Sequence, residues 1–210
     1  MGTVFVAGSY GVGKSTLCDQ LSHRLGMPCF SAGDLISRVN GETYGATKAV
    51  SDKSANQDIL AMEVQKILSS STNILLAGHF CIFDKLNHVE PLPDTIYSNL
   101  GIDCILLLEA DPEQIISNLG KRDKKTYSEE EITKLIVAEN NYAHKIANDH
   151  QYFFHSLSSD LCEKAVRRFS HTASGVHSSE NWSLSTMHRG HWKSSGMSSH
   201  LVPGAIPPSG

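Results

Sequence analysis

The chain of 210 residues is short of several features that would direct it elsewhere. Its longest apolar runs, "NILLAGHFCIF" and "CILLLEA", fall well below the roughly 20 residues of a membrane-spanning helix, and they suit buried strands. Positive charge is not in excess. With 18 Lys and Arg against 22 Asp and Glu, the net charge is -4, so no whole-chain basic field points to nucleic acid. The N-terminus lacks a basic segment, an apolar stretch and a small-residue cleavage site in succession, and a cytoplasmic location is expected. Cys18, Cys29, Cys81, Cys104 and Cys162 form no C-x-x-C pair, and four of them lie in or beside apolar segments. Buried free thiols in a reducing compartment are expected, not disulfides or a zinc site. The remaining composition, 40% hydrophobic and 19% charged, fits a globular α/β domain with or without a tail.

The strongest feature present is "GSYGVGKS", directly after the apolar run "MGTVFVA". Gly8, Ser9, Tyr10, Gly11, Val12, Gly13, Lys14, Ser15 and Thr16 read as a phosphate-binding loop. The glycines let successive N–H groups turn toward one anion, and the following helix adds the positive end of its dipole. Lys14 is expected at the β- and γ-phosphates of ATP, and the Ser15 hydroxyl at Mg²⁺. The motif follows a strand and opens a helix, the context it requires.

The rest of the first 169 residues alternates short apolar runs with longer amphipathic ones. Strands are expected at 2–7, at "PCFSAG", at 73–78, at 103–110 and at "QYFFHSL". Helices are expected at 14–25, from "DLISRV", at 55–70, at "LPDTIYSNLG", from Pro112 and at 129–149, with a closing helix at "SDLCEKAVRRF". Ser128 and Glu131 form a capping box for the helix at 129–149. Five strands alternating with helices imply a parallel sheet covered on both faces. Residues 41–54 read as a loop and 120–128 as a basic loop. From Ser170 the pattern stops: 41 residues carry eleven Ser, five His and one acidic residue, Glu180. A disordered tail over 170–210, or a stretch foreign to the domain's ancestry, is expected, with contact to a protein partner or to another acceptor as its suggested roles.

Three features narrow the chemistry. Asp34 follows the second strand, where its carboxylate would orient an acceptor. His79 follows the third strand, where it would face the same crevice. Lys121, Arg122, Lys124 and Lys125 lie between two helices, where cations close over phosphates.

Together, "GVGKST", "GDL", a histidine after the third strand, "LLLEADPE", a short basic lid and the "EEEI" helix resemble the P-loop nucleoside monophosphate kinases. The nearest variety is the archaeal-type and short-lid nuclear-type adenylate kinases, and the resemblance covers residues 2–169. It implies a three-layer fold with a five-stranded parallel sheet, Mg²⁺-ATP as donor and a nucleoside monophosphate as acceptor. Gly8 to Thr16 carry over as the triphosphate site, Asp34 as part of the acceptor site and Arg122 as the lid arginine. Arg38 and His79 would border the acceptor. Three positions depart from the family pattern. Ser37 stands at the usual arginine after G-D-L, with Arg38 one later; Asn118 stands at another arginine; and no carboxylate precedes His79, where Ala77 lies. Two further readings stay open: a kinase for another small acceptor or a polynucleotide end, and an ATPase or switch acting through a partner.

Overall fold

Six consecutive residues, Gly2–Ala7, form β1, and every one is buried, as befits the centre of a sheet covered on both faces. A computed structural model describes residues 2–40, 53–84, 86–122 and 126–159, the side chains of 40 and 53–55 apart. The 41–52 segment, Lys124, Lys125, Cys162, the closing helix and the 170–210 tail lie outside the described residues. All described residues belong to one unit of the chain, Met1–Ser179.

The elements run β1 (Gly2–Ala7), α1 (Lys14–Leu25), β2 (Cys29–Ser31), α2 (Ala32–Asn40), α3 (Lys53–Leu68) and β3 (Asn73–Ala77). They continue with β4 (Cys81–Phe83), β5 (Val89–Pro91), α4 (Thr95–Ser98), β6 (Ile102–Glu109), α5 (Pro112–Arg122), α6 (Glu129–His150) and β7 (Phe153–Ser158). The five-stranded sheet has the order β2-β3-β1-β6-β7, parallel throughout. This bears out the α/β fold with a five-stranded parallel sheet. None of the described helices is long and apolar enough to cross a membrane.

Strand alternation divides the core between two faces. On one, Phe5 and Ala7 of β1 pack with Leu60 and Val64 of α3 and Leu135, Ala143 and Ile146 of α6. On the other, Val4 and Val6 pack with Leu17 and Leu21 of α1 and Ile115 and Leu119 of α5. The three-layer arrangement follows from that alternation.

The chain steps outward from β1 to β2, returns to β3, then crosses to β6 and β7. Beyond the carboxyl ends of β1 and β3 the connections diverge to opposite sides. Such a divergence opens a crevice at that end of an open α/β sheet. The residues after β1, β2 and β3 all reach it.

Some local expectations are corrected. Strands β4 and β5 form an antiparallel pair that the sequence reading did not separate from the run after β3. Helix α2 begins at Ala32, before Asp34, and α3 begins at Lys53. Lys121 and Arg122 end α5 and do not start a loop. Gly120, the first residue of the expected loop, lies inside α5 and is exposed. An exposed helical glycine costs only about 1 kcal/mol relative to alanine, so α5 continues through it.

Beneath the crevice, the Phe5 ring meets Phe80 edge-on at 5.2 Å and Tyr97 at 5.8 Å. Gly78 passes over this ring, and a Cβ there would sit 2.5 Å from its Cζ. Phe5 is enclosed by its neighbours and cannot swing aside. Gly78→Ala is therefore expected to destabilise the fold by about 1–3 kcal/mol, read as a lower urea midpoint at unchanged slope.

Candidate functional site

The β1–α1 connection carries three glycines at positive φ: Gly8 at 143°, Gly11 at 75° and Gly13 at 104°. L side chains rarely adopt these values. At Gly8, a Cβ would also lie 2.5 Å from the Leu108 carbonyl oxygen. The loop is thus fixed by its glycines as a concave turn ending at the N-terminus of α1. Backbone N–H groups converging beside a helix N-terminus form a site for an anion.

Lys14, the first residue of α1, folds back over this turn. Its ammonium donates to the Gly8 and Ser9 carbonyls at 2.8 and 2.9 Å, and lies 3.4 Å from His79 Nδ1. The Tyr10 ring tilts against the His79 imidazole at 4.3 Å and stacks toward Phe83 at 6.1 Å. Ser15 and Thr16 are exposed at the mouth. The structure therefore brings His79 and Lys14 together, as the histidine's place after β3 suggested.

A buried carboxylate fixes the loop from behind. Glu139 of α6 is 2% exposed. It accepts from Gly8 N–H at 3.1 Å, from Phe80 N–H at 3.0 Å and from Cys81 N–H at 2.6 Å. Burial pushes its carboxyl up from the usual range, against the pull of these N–H groups and of the Lys14 ammonium. Tyr97 adds a second hold, its hydroxyl donating to the His79 carbonyl at 3.2 Å. Sequence reasoning missed Glu139. Its signal is a charged residue within the apolar stripe Ile132, Leu135, Ala143, Ile146.

From the loop a cleft of about 600 Å³ extends toward α2 and α3. Lys14, Ser15 and Thr16 line it at the loop, with Arg122 and Asn118 of α5. Ser31, Gly33 and Asp34 also line it, and α3 contributes Asn56, Gln57 and Leu60. Asp34 is exposed and does not cap its helix. It stands in the first turn of α2, with its N–H donating to Ser31 Oγ at 3.4 Å. Arg38 is exposed on α2 and is not among the lining residues. Ser37 turns inward, its hydroxyl donating to the Gly33 carbonyl at 2.9 Å.

Family comparison fits this geometry. The profile of the AAA domain family matches residues 7–135, more than half of the chain. The chain belongs to the AAA domain family. No curated protein sequence matches it significantly. Solved structures similar to this AAA domain protein include shikimate kinase from Bacteroides thetaiotaomicron, at 14% identity and a TM-score of 0.53, covering 82% of this chain and 98% of that one. A sugar kinase from a Janibacter species is similar at 14% identity and 0.51, covering 83% and 95%. Deoxyadenosine kinase from M. mycoides, solved with its products, is similar at 15% identity and 0.50, covering 83% and 100%. At such identities the likeness is one of fold: the AAA domain here has the P-loop kinase architecture.

The residues present fit a triphosphate. Loop amides, the Lys14 ammonium and Arg122 surround one end of the cleft. A metal would meet the Ser15 hydroxyl. The described residues hold no cluster of three His, Cys, Asp or Glu for it. Asn118 ties α5 to the loop by donating to the Gly11 carbonyl at 2.8 Å. Asn118→Ala removes one partly buried hydrogen bond, worth about 0.5–1.5 kcal/mol. Calorimetry with a non-hydrolysable ATP analogue is expected to show binding about three- to tenfold weaker.

Proposed function

We propose that the protein is an ATP-dependent phosphotransferase whose acceptor is a small molecule bound beside Asp34. The observation that carries this reading is the continuity of the cleft. One cavity holds the phosphate-loop residues and Asp34 and is also lined by Gln57 and Leu60 of α3 and by the apolar Ile82, Phe83, Leu92 and Ile96. Hydrolysis alone needs only the phosphate-loop residues. We assign the activity to residues 1–169, with 170–210 as a separate segment.

The loop amides and Lys14 hold the β- and γ-phosphates, and Arg122 approaches the transferred group from the end of α5. Mg²⁺ at Ser15 would neutralise charge across the phosphate oxygens. Asp34 orients the acceptor and takes its proton. The acceptor oxygen bonds to the γ-phosphorus as the bond from that phosphorus to the ADP oxygen breaks, and ADP leaves. Most of the catalysis is alignment and charge stabilisation, the usual division of labour in phosphoryl transfer.

Of two acceptor classes, a hydroxyl-bearing molecule has the better support. Asp34 offers a carboxylate where a hydroxyl proton would go, whereas a monophosphate would bring a second negative charge to it. The nucleoside monophosphate reading rests on the adenylate kinase resemblance and needs Arg38, which is exposed outside the cleft lining.

The test is ADP formation with and without added acceptors, and a rise with an acceptor is expected. Lys14→Ala is expected to lower turnover at least about a hundredfold. Asp34→Asn is expected to lower kcat about 10²- to 10⁴-fold with little change in ATP affinity. ADP formation indifferent to every acceptor, monophosphates included, contradicts the proposal.

A further inference from the structure

We infer that the apolar end of the cleft takes the ring of a neutral, hydroxyl-bearing heterocycle, a nucleoside by chemical class, with the Gln57 amide bonded to a polar atom of that ring. The inference rests on the kinase reading and names its acceptor.

It starts from an unpaired group. Gln57 of α3 lines the cleft, and its Nε2 is enclosed yet has no hydrogen-bond partner among the described residues. Buried polar atoms in native proteins are nearly always paired, so an enclosed donor without a partner needs an explanation. A ligand atom supplies one.

The surroundings say what kind of ligand. Leu60, Ile82 and Ile96 are nearly buried around this end, and Phe83 and Leu92 are partly exposed beside them. The Phe83 ring stacks toward Tyr10 at 6.1 Å on one side, and it is the flat group that this end of the cleft offers. Flat apolar walls with few polar groups suit a planar ring, and the buried polar groups set its orientation. Asp34, which lines the same cleft, suits a hydroxyl.

Three contacts are therefore asked of one molecule: a hydroxyl at Asp34, ring faces against the walls and a ring acceptor at Gln57. A polyol or sugar satisfies the first and sets its other hydroxyls against hydrocarbon. A phenyl-bearing alcohol satisfies the first two and offers no ring acceptor to Gln57. A nucleoside meets all three. Transfer would put the γ-phosphoryl group on its hydroxyl oxygen, passing the hydroxyl proton to Asp34 and releasing ADP.

The experiment uses the full chain with γ-labelled ATP and Mg²⁺. Its acceptor arms are the common ribo- and deoxyribonucleosides, their 5′-monophosphates, a short oligonucleotide, and the ring-free or non-aromatic hydroxyl compounds glycerol, glucose and shikimate. Gln57→Met is run beside the natural chain, with thermal unfolding of both. Label on at least one nucleoside is expected. Gln57→Met is expected to raise the KM for that nucleoside about tenfold, with a smaller change in kcat. The same substitution removes an enclosed unpaired donor, so the unfolding midpoint of the ligand-free protein is expected to hold or rise.

Label only on glucose, glycerol or shikimate overturns the inference and leaves the kinase reading standing. Label only on monophosphates or the oligonucleotide overturns it in favour of a charged acceptor. Absence of label from every arm overturns both. A nucleoside KM unchanged by Gln57→Met, with a lowered unfolding midpoint, assigns Gln57 a structural role and also overturns it.

Discussion

The site depends on one buried carboxylate. Glu139 reaches from α6 to the first amide of the phosphate loop and to the two amides that follow His79. Those segments follow the neighbouring strands β1 and β3, and Glu139 is the acceptor that their N–H groups share. Without an acceptor their N–H groups would be buried and unpaired, at about 1–3 kcal/mol each. Four hydrogen bonds between this carboxylate and three N–H groups offset the cost of removing the charge from water. The same bonds fix Lys14 relative to His79, because each belongs to a segment that Glu139 holds.

This hold explains the division of the cleft. The donor end is built from backbone: its glycines set the curve, Asn118 secures the Gly11 carbonyl, and Lys14 lies across the Gly8 and Ser9 carbonyls. The rest of the cleft is lined by side chains of α3 and β4, which pack on the Phe5, Phe80 and Tyr97 cluster. Tyr97 belongs to both parts, as a core ring and as the donor to the His79 carbonyl.

Much of this was legible in the sequence, and physical reasons separate what was from what was not. The phosphate loop was fully legible, because its chemistry is local: nine adjacent residues specify glycine turns, a lysine and a helix start. The main strands were legible from buried apolar runs, and the capping box at Ser128 and Glu131 is present with both bonds. The free thiols were legible too: Cys18, Cys81 and Cys104 are buried and Cys29 partly so. The β4–β5 pair was not legible, since three-residue strands carry no measurable period. Arg122 was expected in the basic loop 120–128 but ends α5. Glu139 was hidden by distance, since its partners lie 58 to 131 residues away in sequence. Gln57 was hidden for another reason: an enclosed Nε2 without a partner among the described residues is a property of the packed cleft, not of any local pattern.

The central claim is that Glu139 secures the phosphate loop and the His79 segment together. Residue-resolved amide hydrogen exchange of Glu139→Ala, under native conditions, tests it most directly. The account predicts that the amides of Gly8, Phe80 and Cys81 lose protection together, by about a hundredfold or more, since each tenfold corresponds to about 1.4 kcal/mol. Ile105, in the middle of β6, should lose only what the overall fall in stability requires. Protection retained at Gly8 while Phe80 and Cys81 open would contradict the claim, because the two segments would then be held independently.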